Sequence, residues 1–121
     1  MIEHDDWKSV LIENHDNPRS VSRYTDDNDQ PRDKGAKPLA LMQTTLSGTL
    51  FVYQGEEIGI RNTSREWDVE TEYKDIETIN YWKKCKALYG DDEERLEHGQ
   101  KVIHMKARDH ARTPMPVEQW A

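Results

Sequence analysis

His15 and Asp16 stand side by side after the apolar run Val10-Leu11-Ile12, and Asn17-Pro18 turns the chain directly behind them. An imidazole beside a carboxylate can serve one polar site, moving protons or holding a hydrogen-bonding ligand. Neighbouring residues on a strand point to opposite faces, so both reach one site only if Asp16 has left the strand. Pro18 favours that, because the residue before a proline is biased to extended geometry. A carboxylate at the C-terminal tip of a parallel strand is where barrel enzymes place catalysis. The competing role for Asp16 is a turn carboxylate that caps backbone N–H groups.

Other candidates are weaker. Gly55-Glu56-Glu57 forms a second polar edge, where Glu57 either reaches the same cleft or pairs with an arginine. The stretch from Gly48 to Gly55 lacks the glycine spacing and Lys-Ser/Thr ending of a phosphate loop. His98, His104 and His110 recur every six residues, which fits neither one helix face nor a zinc pattern. Arg108-Asp109-His110 has no serine elbow to serve. No metal and no cofactor is expected.

These residues need elements to position them. Residues 7–16 read as a strand centred on Val10-Leu11-Ile12. Residues 17–37 read as a polar loop with a short helical turn after Pro18. Pro38 is expected to open a helix at its first position, with Leu39, Leu41, Met42, Thr45 and Leu46 at helical spacing and Gly48 at its end. Thr49-Leu50-Phe51-Val52-Tyr53 reads as a second strand, apolar enough to be buried on both faces. Strand, loop, helix and strand make one βαβ unit over residues 7–59. Residues 60–121 read as a long loop and helical excursion. Within it, Ile76, Ile79, Trp82, Cys85 and Leu88 should line one side of a helix ending at Gly90. Residues 91–99 should be a solvated charged helix, and Val102 to Ala107 a short extended or irregular segment.

With 121 residues there is room for one small domain. Hydrophobic and charged residues are equally frequent at 34% each, and mean hydropathy is −1.07. Four Trp and five Tyr argue against disorder. That balance fits either a soluble domain with a large solvated surface or a piece of something larger whose partner surfaces are missing; the motifs favour the piece, with no complete domain of its own. The net charge of −7 disfavours nucleic acid as a partner. No apolar run approaches the ~20 residues of a membrane span. No signal-peptide core follows Met1, and Cys85 is the single cysteine, so a cytoplasmic setting is the simplest fit.

Four segments, in one order, resemble glycoside hydrolase family 13, the α-amylase and α-glucosidase family. Residues 10–24, containing Asn14-His15-Asp16, resemble the seventh barrel strand of maltases and oligo-1,6-glucosidases, fungal ones above all. Residues 46–59 resemble the eighth strand. Residues 73–81 resemble part of the loop after it, and Arg108-Asp-His-Ala-Arg-Thr-Pro-Met115 a signature near the barrel's end. The resemblance implies an α/β fold, a fragment of a (β/α)8 TIM barrel. It implies retaining hydrolysis of an α-glucoside or oligosaccharide substrate, in which an Asp nucleophile and a Glu acid/base lie about 5 Å apart. Asp16 matches the third family carboxylate, which stabilises the transition state. His15 matches the histidine on the same glucose, and Glu77 and Arg108 match residues lining the substrate pocket.

This chain departs from the family in lacking the G-x-R-x-D pattern of the nucleophile. The fragment is therefore expected to be inactive alone. Residues 1–6 look unlike barrel sequence and residues 116–120 diverge from the family continuation, which suggests a truncated or pseudogene-like piece. The alternative is a non-catalytic interaction module derived from the same barrel. Either way a lone βαβ unit leaves sheet edges and an apolar face open, so poor solubility or a molten state is expected.

Overall fold

The computed structural model describes residues 7–26 and 32–115. The expectations for residues 1–6 and 116–121, and for the loop around Asp27–Pro31, lie outside the described residues. The chain divides into two compact units, one from the described parts of Met1–Asn14 and Arg19–Arg61, the other from His15–Pro18 and the described part of Asn62–Ala121.

In the first unit, β1 (Ser9–Val10) pairs in parallel with β2 (Thr49–Leu50), Ser9 opposite Thr49 and Val10 opposite Leu50. The ladder rests on Thr49 N–H to Lys8 O at 2.8 Å and Phe51 N–H to Val10 O at 2.9 Å. Gly48 enters β2 at φ 136°, and a Cβ there would lie 2.3 Å from the Lys8 carbonyl oxygen. Only glycine fits that approach and that dihedral. Two helices connect the strands: α1 (Ser20–Tyr24), the helical turn expected after Pro18, and α2 (Arg32–Thr44). At Gly35 a Cβ would sit 2.5 Å from Thr25 Oγ1 and 3.1 Å from Val21 Cγ1, so the missing side chain lets α2 approach α1.

Three expectations for this unit are corrected. The first strand is far shorter than residues 7–16, because the ladder spans two residue pairs and the chain bends at Ile12. The second, expected over residues 49–53, ends at Leu50, and its expected residues are not buried on both faces: Phe51 and Val52 are each 55% exposed. A parallel strand is covered only when neighbours flank it and helices lie on both faces, and here it has one neighbour among the described residues. Pro38 does not open α2 but lies inside it, with a full turn before it. Proline costs an interior helix one hydrogen bond, and α2 carries that cost. Leu41, Met42 and Leu46 are exposed, so their helical spacing marks a face without a partner in this unit.

In place of an apolar centre, the first unit buries ions. Glu13 and Arg19 are 3% and 0% exposed, with Arg19 Nη1 3.1 Å from Glu13 Oε2. Glu13 Oε1 accepts from Ser20 N–H at 2.7 Å and from its hydroxyl at 2.6 Å. Arg19 also donates to the Gln54 carbonyl at 2.9 Å and lies 5.3 Å from the centre of the Tyr53 ring. Every partner is needed, since an unpaired buried charge is costly.

The second unit has an apolar core: Val69, Tyr73, Trp82, Cys85, Ile103 and Ala107, with Trp67 and Leu96 at its edge. α3 (Ile76–Tyr89) starts where Asp75 accepts from Glu77 N–H at 3.0 Å and stops at Gly90. Its buried face is Thr78, Trp82 and Cys85. Ile76 and Leu88 are exposed, which corrects the expected stripe by rotating it about the helix. The Trp82 indole N–H, half sheltered, donates to Glu70 at 3.1 Å. α4 (Glu93–Lys106) is one continuous helix, so Val102 to Lys106 is neither extended nor irregular. Leu96, Gly99, Ile103 and Ala107 follow the i, i+3, i+4 spacing that buries one seam. A Cβ at Gly99 would lie 3.2 Å from Cys85 Sγ, so glycine lets the two helices close together here. None of the described helices is long and apolar enough to cross a membrane.

Candidate functional site

His15 and Asp16 lie on a turn, not on a strand. The condition for both to serve one site is therefore met. His15 Nε2 is 3.2 Å from Asp16 Oδ2. The other carboxylate oxygen, Oδ1, is 3.0 Å from Arg112 Nη2 and 3.7 Å from Arg108 Nη1. Arg108 also pairs through Nη2 with Glu77 Oε2. The four residues singled out from the sequence, His15, Asp16, Glu77 and Arg108, are thus linked within one unit. The structure places Glu57 in the other unit, where its Oε2 accepts from Gly55 N–H at 2.7 Å.

Local structure explains the placement. Glu77 is in the first turn of α3, whose start is fixed twice. Asp75 caps it, and Asp109 Oδ1 accepts from the N–H groups of Lys74 at 2.7 Å and Asp75 at 3.0 Å. Carboxylates belong there, because the first N–H groups of a helix have no partner within it. Arg108 stands on a 3-10 turn, Arg108–Ala111, that follows α4. Arg112, just beyond that turn, was not singled out from the sequence. It donates from Nε to the His15 carbonyl at 3.0 Å and from Nη1 to Asp75 Oδ2 at 2.6 Å.

Asp16, Glu77 and Arg108, with Asp75, Tyr81 and Lys106 among others, line a cavity of about 370 Å³. That size lies within the ordinary range for small-ligand sites. Carboxylates and guanidinium groups around an aromatic wall suit a ligand rich in hydroxyls, which can both donate and accept. Asp16 is about half exposed, leaving room for a ligand hydroxyl beside its protein partners.

On the same turn as Arg108, His110 is fully buried. Its Nδ1 accepts from Thr63 N–H at 3.3 Å and is 2.9 Å from Thr63 Oγ1. That leaves Nε2 to donate to the Ile103 carbonyl at 3.3 Å. Burial holds its pKa below the ordinary imidazole value. His104 Nδ1 meets the Tyr73 hydroxyl at 2.9 Å, and its pKa is lowered too, first by burial and then by Arg65. The Tyr73 ring packs edge-on against both imidazoles, at 6.0 and 5.8 Å. The six-residue spacing thus puts His104 and His110 against one tyrosine. No group of three or more metal-binding side chains occurs among the described residues.

A family model described as "Alpha amylase, catalytic domain" matches residues 1–121. An α-glucosidase of Candida albicans is 47% identical over 97% of this chain and 20% of its own. The oligo-1,6-glucosidase IMA3 of Saccharomyces cerevisiae is 39% identical over 97% of this chain and 19% of its own. The chain thus spans about one fifth of the length of these curated relatives. Among solved structures, trehalose-6-phosphate hydrolase of Bacillus licheniformis aligns with a TM-score of 0.76 and 38% identity, over 90% of this chain and 18% of that one.

Proposed function

The chain belongs to the alpha-amylase catalytic-domain family of glycoside hydrolases, as a piece of its (β/α)8 barrel, and from that premise we propose that it carries the transition-state-stabilising part of an α-glucosidase site. In this reading residues 7–59 are the βαβ unit of the seventh and eighth barrel strands, and residues 60–121 are the excursion after them. Asp16 accepts from hydroxyls of the glucose being cleaved, and His15 holds the same sugar. Glu77 and Arg108 line the pocket. The observation that carries this is the linked set of His15, Asp16, Arg108 and Glu77, of which Asp16, Arg108 and Glu77 line one cavity. A charged acceptor hydrogen bond that tightens as the oxocarbenium-like state develops lowers the barrier without tightening ground-state binding equally.

Bond cleavage in the retaining mechanism also needs a nucleophile and an acid/base. In this reading other parts of the barrel supply both, and these 121 residues alone bind but do not cleave. The substrate is an α-linked glucoside such as maltose, isomaltose or a short oligosaccharide, handled in the cytoplasm, without nucleic acid, membrane or cofactor. The test is a graft: these 121 residues replace the matching segment of the Candida albicans α-glucosidase. The chimera should hydrolyse nitrophenyl-α-glucoside, and Asp16→Asn should abolish turnover while the free chain shows none. An Asp16→Asn chimera as fast as its parent would sink the reading.

A further inference from the structure

Two arginines approach Asp16, and their surroundings differ. Arg108 lies on the cavity wall and its close partner is Glu77, with Asp16 at 3.7 Å. Arg112 is not among the cavity's lining residues, yet it holds the Asp16 carboxylate at 3.0 Å and the His15 carbonyl at 3.0 Å. Its remaining nitrogen, Nη1, is anchored on Asp75 at 2.6 Å. Asp75 is itself 8% exposed, caps α3, and has its backbone N–H held by Asp109.

From this geometry, and resting on the reading of Asp16 given above, we propose that Arg112 is the positioning residue for Asp16, whereas Arg108 acts on ligand binding. Arg112 joins a fixed helix start to the backbone of His15 and the side chain of Asp16 on their turn. It therefore sets where the carboxylate stands before any sugar arrives. A planar fork with donors in fixed directions can meet three acceptors at once, which an ammonium on a flexible stem cannot. Lysine should keep the charge and lose the geometry. A displacement of about 1 Å in a reacting constellation can cost on the order of a hundredfold in rate.

In the chimera, Arg112→Gln should lower kcat about a hundredfold, with KM within roughly twofold of its starting value. Arg112→Lys should recover only part of that loss. Arg108→Gln should act mainly on KM. An Arg112→Gln enzyme with unchanged kcat, or one whose loss disappears on cooling the assay, would overturn the proposal. A second measurement does not depend on catalysis. In the 121-residue chain, the Asp16 Hα–Hβ couplings should report one rotamer in the parent and in Arg108→Gln, but an average in Arg112→Gln. Equal couplings in all three would also overturn it. If the couplings behave as expected while Asp16→Asn leaves the chimera active, the positioning stands and the sugar role of Asp16 is what fails.

Discussion

The two units of this chain are held together by opposite means. The unit with α3 and α4 encloses Tyr73, Trp82, Cys85 and Ile103. The unit with the parallel strands encloses Glu13, Arg19 and Ser20, and leaves Leu41, Phe51 and Val52 in solvent. Apolar contact is forgiving and adds up over area. A buried ion pair is worth little net and fails when one member is lost. The comparison teaches that apolar residues in a sequence do not locate the core. In the strand unit Leu41, Phe51 and Val52 read as apolar yet lie exposed.

The largest expected effect breaks this comparison from the ionic side. Arg19→Met should leave Glu13 buried without its cation and cost about 3–5 kcal/mol. NMR should show Val21 methyl signals collapsing while those of Ile103 persist. Ile103→Ala should do the converse, removing about 2–5 kcal/mol from the helical unit alone, as read by urea unfolding of Trp82 fluorescence. If either variant melts both units equally, the two are one cooperative body and the contrast is wrong. Next is Gly99→Ala. Its methyl would press on Cys85, and overpacking of this kind costs about 1–3 kcal/mol. A thermal melt with no shift would show that the helices have room to part. Asp92→Ala removes the cap on Arg95 N–H at 3.2 Å and should cost about 1 kcal/mol, visible as lower helicity by circular dichroism.

The gentlest probe is pH. Burial lowers the folded-state pKa of His110 below its ordinary value of 6.5. The folded state thus binds fewer protons than the unfolded one, and stability rises with pH across this window. The contribution is whole above 6.5 and is lost as pH falls below it towards the folded-state value. Protonation would put a hydrogen on Nδ1 facing the Thr63 N–H. A His110→Gln variant should flatten the pH dependence of urea unfolding in the helical unit. An unchanged slope would assign the effect to other groups.

Helix limits set by local chemistry were legible. Asp75 and Gly90 bracket α3 because a carboxylate answers its first N–H groups and a glycine takes the turn at φ 57°. For Asp16 the sequence left two readings, the end of a strand over residues 7–16 or a turn favoured by Pro18, and the structure has the turn. Where neighbours outweigh local preference, the sequence misled. Gly99 and the β-branched pair Val102-Ile103 suggest a break in α4, but Ile103 against Trp82 and Cys85 keeps it helical. Pro38 suggests a helix start, yet α2 runs through it.

Through its resemblance to the family, the sequence singled out His15, Asp16, Glu77 and Arg108 as candidates, and Pro18 favoured a turn at Asp16. Their types and order are written in the chain, and turn and cap preferences act over a few residues. The tertiary structure alone decided which arginine holds Asp16. Arg108 and Arg112 are two like charges four residues apart, and no local rule separates them. Only the return of the chain across 96 residues, onto a helix start already fixed by Asp75 and Asp109, gives Arg112 its three acceptors.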